Sequence, residues 1–190
     1  MKQKKGFRRL YDNFLKDEEL HEITKLVRSF DMFWIFRTGL TFIPEEEISY
    51  DLVGDDWGLS YLLVPTIEPV LSQKLFKVLE PLFIQLKIEH ALRIKLNLSV
   101  ATKEPHISEY HQDLHSDYKY TTAIYYLNTC NGYTQFKSDG APVKSKENRV
   151  IVFDGNSEHR AVGQTDTQMR YVINFNYLTS DLPDKPNKTF

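Results

Sequence analysis

The sequence almost lacks cysteine: Cys130 stands alone among 190 residues. No disulfide can form within the chain, and a reducing, cytoplasmic setting is expected. Long apolar runs are missing as well. None approaches the roughly 20 residues that a membrane-spanning helix needs, so no membrane partner is expected. The basic start, with Lys2, Lys4, Lys5, Arg8 and Arg9, has no apolar core behind it and does not read as a secretory signal. An excess of positive charge is absent too. The formal net charge is −2, which argues against a nucleic-acid partner. No internal repeat and no compositional break divides the chain, and its length suits one domain with a substantial core.

Aromatic residues, by contrast, are plentiful. Twelve Phe and 11 Tyr bring the aromatic share to 13%. Rings and β-branched residues favour strands. The first helix is expected to start at Asp17, with Glu18 and Glu19 suiting the positive end of its dipole. Leu20, Ile23, Leu26, Val27 and Phe30 follow as one apolar stripe. A strand is expected over 32–37. Residues 39–60 are strongly acidic, with Glu45, Glu46, Glu47, Asp51, Asp55 and Asp56. They read either as a solvated loop or as a lid for a basic substrate. From about 67 to 88, Val70, Leu71, Leu75, Val78, Leu79, Leu82, Phe83 and Leu86 recur at helical spacing. Pro81 should kink or split that helix. After residue 90 short strands dominate, expected at 92–101, 107–113, 120–128, 132–137, 149–154, 158–163 and 168–178. Such close spacing points to an antiparallel sandwich or barrel. Residues 1–16 read as a basic arm and 179–190 as a loose polar tail.

Within this pattern, His111 and Asp113 are two residues apart. On extended chain both side chains leave the same face. With one more imidazole they make a two-His-one-carboxylate face, the set that leaves open positions on non-haem Fe(II). The pair alone is weak. In a chain of this composition chance places an Asp two after a His about 0.4 times, and His115 and Asp117 repeat the spacing. The further imidazole is His159, after the turn Asp154-Gly155-Asn156 and 46 residues beyond Asp113. Eleven residues later Arg170 opens the strand Arg170-Tyr171-Val172-Ile173-Asn174-Phe175-Asn176-Tyr177. Alternation puts Arg170, Val172, Asn174 and Asn176 on one face. Tyr171, Ile173, Phe175 and Tyr177 form an apolar face opposite. An arginine on the inward polar face needs an anionic partner, and a carboxylate held by both guanidinium edges suits it.

Taken together, His111-Gln112-Asp113, Tyr126-Leu127-Asn128, Gly132-Tyr133-Thr134-Gln135-Phe136, His159 and Arg170 resemble the Fe(II)- and 2-oxoglutarate-dependent dioxygenases, in their prolyl-hydroxylase-like branch. The resemblance covers roughly residues 92–178. It implies a mainly β protein with flanking helices (α+β), with a double-stranded β-helix (jelly-roll) core and N-terminal helices packed on one sheet. It implies a single domain over 1–190: a helical and lid region to about 90, then the jelly-roll core to 178, then the tail. It implies that His111, Asp113 and His159 hold iron and act catalytically through it. Arg170 would pair with the far carboxylate of 2-oxoglutarate, Tyr126 would donate its hydroxyl to that carboxylate, and Asn174 would lie beside it. Dioxygen is the second cosubstrate, and ascorbate is a further expected cofactor. The reaction implied is hydroxylation of an unactivated C–H bond in a prolyl peptide, another protein or a small molecule such as a free amino acid. The strand at 95–101 lacks the tyrosine often found there, and Asn97 or Ser99 is expected in its place. The alternative from another class is a metal-binding or metal-free β-sandwich that serves only as a binding module.

Overall fold

The computed structural model describes residues 7–38, 57–64, 69–114, 119–183 and 188–189. The order of elements is β1 Arg8–Asp12, α1 Asp17–Val27, β2 Ile35–Thr38, β3 Trp57–Val64, α2 Pro69–Gln85, β4 His90–Val100, β5 Thr121–Tyr126, β6 Tyr133–Phe136, β7 Pro142–Lys144, β8 Arg149–Asp154, β9 His159–Val162, β10 Met169–Leu178 and β11 Lys188–Thr189. Eight strands form one antiparallel sheet in the order β11-β1-β8-β5-β10-β4-β3-β2, and β7-β6-β9 form a second. The smaller sheet is extended by two bridges, Ile107 to Val162 and His111 to His159.

Alternation explains the layers. The odd-numbered face of β10 buries Tyr171, Ile173, Phe175 and Tyr177 against the helices. There they meet Ile23 and Val27 of α1 and Leu75, Leu79 and Leu82 of α2. Phe83 meets Phe175 edge-on with ring centroids 6.1 Å apart. The other face of the large sheet turns Ile124, Tyr126, Ile151, Phe153 and Val172 toward Phe136 and Val143 of the small sheet. The sheets thus enclose a second, smaller core, and the polar residues of β4 and β10 line a cavity beside it. This is the expected jelly roll with helices on one sheet. No helix among the described residues is long and apolar enough to cross a membrane.

Several local expectations are corrected. Residues 8–12 are not part of an arm but a strand, because their backbone completes the ladder of β8. The N-cap of α1 is Lys16, one residue before Asp17, and its N–H donates to Glu19 Oε2 at 3.0 Å. Phe30 lies beyond the helix and is fully exposed, so it does not continue the apolar stripe. Val70 is likewise exposed. Pro81 does not split α2, which runs unbroken from Pro69 to Gln85; Leu79, Leu82 and Leu86 stay buried around it. β3 and β7 were not foreseen. Residues 107–113 form no strand, only the two bridges, since Ser108 Oγ replaces a ladder partner by accepting from Ala161 N–H at 3.0 Å. The tail is fastened: Tyr11 Oη donates to Pro183 O at 2.8 Å, and β11 pairs with β1. The acidic stretch 39–56 and the alternative pair His115 and Asp117 lie outside the described residues.

Candidate metal centre and carboxylate pocket

His159 opens β9 after a turn in which Asn156 N–H donates to Asp154 Oδ1 at 3.1 Å. Its backbone exchanges two hydrogen bonds of 3.0 Å with His111, so the two imidazoles leave neighbouring strands side by side. Their ring centroids are 4.9 Å apart. Each Nδ1 faces a backbone carbonyl at 3.0 Å, Glu109 O for His111 and Ser157 O for His159. A proton on Nδ1 satisfies that carbonyl and leaves the Nε2 lone pair free, the arrangement expected of a metal-binding histidine.

Both Nε2 atoms face Asp113. The distances are 3.9 Å from His111 to Oδ1 and 4.0 Å from His159 to Oδ2. These exceed the roughly 2.7–3.2 Å of a hydrogen bond. The three donor atoms lie within 4.8 Å of one another. Donors that converge without touching, two of them neutral nitrogens and one a carboxylate, fit a divalent cation between them.

The surroundings hold this arrangement. His159 is buried, and the Phe153 ring stands edge-on to it at 5.0 Å. Burial pulls its pKa below the ordinary histidine value, against the opposing pull of Asp113, so the ring is neutral near pH 7. Burial raises the Asp113 carboxyl, but His159, Arg93, His111 and the Asn176 amide outweigh it and keep it below the usual carboxylate range. Asn176 Nδ2 donates to Asp113 Oδ2 at 2.9 Å and to Thr122 Oγ1 at 3.0 Å. Arg93 Nη1 lies 3.5 Å from Asp113 Oδ1. The chain beyond Asp113 is clamped by Tyr120, whose hydroxyl accepts from Leu114 N–H and donates to Leu114 O, both at 3.1 Å. Burial pushes that hydroxyl up to about 12.

Arg170 lines the same cavity, 5% exposed, at the start of β10 and opposite Ser99. Its Nε donates to Ser145 Oγ at 3.3 Å, and its guanidinium lies 5.7 Å from the centre of the Tyr126 ring. Burial lowers its pKa, and the neighbours that oppose this are Tyr126 and Cys130, not carboxylates. Among the described residues Arg170 makes no ion pair. A buried cation without a counter-charge is costly, and a ligand anion relieves the cost.

The other expected residues divide. Asn174, Asn97 and Ser99 all line the cavity. Tyr126 is fully buried, and its hydroxyl donates to Thr134 Oγ1 at 2.8 Å. It is Thr134 that lines the cavity. Three residues went unassigned from sequence: Thr134, Asn176 and Arg93. Asn176 shared the inward face of β10 with Arg170, and that alternation was the available signal. Arg93 carried none, because its register against β10 is a tertiary fact.

No protein-family model matches the sequence, and a search of curated proteins finds no relative. Solved structures do match. A prolyl hydroxylase from Trichoplax adhaerens, in complex with a peptide fragment of the hypoxia-inducible-factor oxygen degradation domain, superposes with a TM-score of 0.61 at 15% identity, over 90% of this chain and 83% of that one. AviO1 from Streptomyces viridochromogenes Tue57 gives 0.57 at 14% identity, over 95% and 93%. The non-haem α-ketoglutarate-dependent carbocyclase SnoK of nogalamycin biosynthesis gives 0.56 at 11% identity, over 92% and 80%. The shared property is the fold.

Proposed function

We propose that this chain is a non-haem Fe(II)- and 2-oxoglutarate-dependent dioxygenase that hydroxylates an unactivated C–H bond. The observation that carries this is the pairing, in one cavity, of a His-Asp-His convergence with a buried arginine that has no carboxylate partner among the described residues. His111, Asp113 and His159 would hold the iron. Arg170 would receive the far carboxylate of 2-oxoglutarate, with the Tyr126–Thr134 hydroxyl pair beside it and Asn174 on the adjoining wall.

Bound iron and cosubstrate would supply the activation of dioxygen and the oxidation of substrate, with succinate and carbon dioxide as coproducts. The chain supplies position and charge. The two Nδ1–carbonyl contacts fix the imidazole planes, and Asn176 fixes the carboxylate. Phe136, Phe153 and Ile124 keep water from one side of the site. Ascorbate would serve to keep the iron reduced. The fold is shared by a peptide hydroxylase and a carbocyclase, so it supports both a peptide and a small-molecule substrate.

A binding module without metal would not need two imidazoles aimed at a carboxylate. The test is succinate release from 2-oxoglutarate under air with added Fe(II). The wild type should turn over slowly without substrate. Asp113→Ala should lose both the activity and tight iron binding. Equal rates in the two proteins would remove Asp113 from the ligand set.

A further inference from the structure

Two motif residues, Asn128 and Gly132, have no part in the site described above, yet both bear on Arg170. Asn128 follows β5, and its side chain bonds the main chain on either side of that arginine. Its Nδ2 donates to Met169 O at 2.9 Å, and its Oδ1 accepts from Tyr171 N–H at 2.9 Å. Gly132 precedes β6, and a Cβ there would come within 3.2 Å of Arg170 Cδ and 3.1 Å of Val162 O. Ser145, only 1% exposed, links the two. Its N–H donates to Gly132 O at 2.9 Å, and its Oγ donates to Asn128 O at 3.2 Å. That Oγ accepts in turn from Arg170 Nε at 3.3 Å. Of these four residues only Arg170 lines the cavity, so the other three form a socket behind it.

The donor directions decide which edge of the guanidinium is left for a ligand. A serine hydroxyl has one proton. Here it goes to Asn128 O, so the lone pairs of Oγ face the arginine and Nε–H is spent on them. A guanidinium carries five N–H donors in a fixed fork. The four on Nη1 and Nη2 have no acceptor among the described residues. They form the end-on edge, which grips a carboxylate through two parallel bonds. An arginine stem that is free before binding loses rotamer freedom when a ligand orders it, and a stem already fixed does not. Asn128 holds the main chain from which the stem grows, Gly132 leaves room for its middle, and Ser145 sets the plane of its head.

We propose, resting on the oxygenase reading above, that Ser145 is a positioning residue that presents Arg170 end-on to the far carboxylate of 2-oxoglutarate, held for that task by Asn128 and Gly132. The socket thereby strengthens the preference for a diacid over a monoacid of the same length, and touches neither.

The test uses the full chain, loaded with Mn(II) and kept free of dioxygen so that nothing turns over. Two probes are titrated calorimetrically: 2-oxoglutarate, and 2-oxopentanoate, which ends in a methyl where the first has its far carboxylate. The ratio of their affinities isolates that carboxylate. Ser145→Ala should lower the ratio about tenfold, the size of one hydrogen bond to a charged group. Mn(II) and 2-oxopentanoate should bind to it as to the wild type. Ser145→Cys refills the volume but offers a weaker acceptor, so most of the loss should remain. In an Arg170→Gln background, where the preference is already gone, Ser145→Ala should change nothing further. An unchanged ratio in Ser145→Ala, or full recovery in Ser145→Cys, would overturn the proposal. So would an equal loss for both probes or a loss of Mn(II) binding, which mark a general structural role, and so would a further change in the Arg170→Gln background. A wild type that fails to bind Mn(II), or that binds the two probes alike, would overturn the oxygenase reading instead.

Discussion

Asn176 shows how much of this site depends on a side chain that touches no ligand in the proposed chemistry. It is fully buried; its Nδ2 donates to Asp113 and Thr122, and its Oδ1 accepts from Arg93 Nη1 at 3.5 Å. Removing it frees the carboxylate to rotate and leaves a buried hydroxyl without its donor. Outer partners of metal ligands are worth about 10–100-fold in metal affinity. Asn176→Ala should therefore weaken Mn(II) binding by about that factor in a calorimetric titration, with the fold intact by circular dichroism. Unchanged affinity would mean that Asp113 is held by other contacts. The sequence made the inward position of Asn176 legible through alternation on β10. It could not show that the amide reaches Asp113, 63 residues earlier, because that contact depends on strand order. The same holds for Arg93. Tyr126 illustrates the converse: its place beside Arg170 was foreseen, but its hydroxyl donates to Thr134.

At the level of elements, the ligands are presented by the first residue of β9 and by a bridged segment, not by two regular strands. His111 pairs with β9 through a single bridge, and the chain after Asp113 is held by Tyr120. Tyr120 in turn rests on Gly155 in the turn before His159. A Cβ at Gly155 would come within 2.2 Å of the Tyr120 ring. Gly155→Ala should thus displace the clamp and cost about 1–3 kcal/mol, as overpacking does. The urea midpoint should fall, and metal affinity should fall with it, since both ligand segments meet at that ring. A variant with wild-type stability and affinity would show that the clamp is dispensable. Periodicity located most elements, including α2, β4, β5, β8 and β10. It missed β1, β3, β7 and β11. β1 is the outer partner of β8 and was obscured by its charged residues, while Arg8 is in fact buried in an ion pair with Asp139. The segment 107–113 misled because alternation alone cannot tell a strand from an extended, loosely bridged chain.

For the molecule as a whole, the division of labour is between two cores. Helices and the outer face of the large sheet form the greater one, and it gives rigidity to β10, which carries Arg170, Asn174 and Asn176 on its other side. The smaller core between the sheets packs Phe153 and Phe136 around His159. The order of the motifs in the sequence made the jelly roll legible before any coordinates, because each motif belongs to a particular strand. Charge balance within the cavity was not legible, since it depends on which cations the fold gathers.

The central claim is that one cavity binds a divalent metal at His111, Asp113 and His159 and a diacid at Arg170. Calorimetric titration of 2-oxoglutarate into Mn(II)-loaded and metal-free protein, wild type and Arg170→Gln, measures it most directly. Tight binding should require the metal, and Arg170→Gln should weaken it by at least about 30-fold, the lower end for breaking a buried charge pair. Binding that ignores the metal, or an Arg170→Gln affinity equal to wild type, would contradict the account.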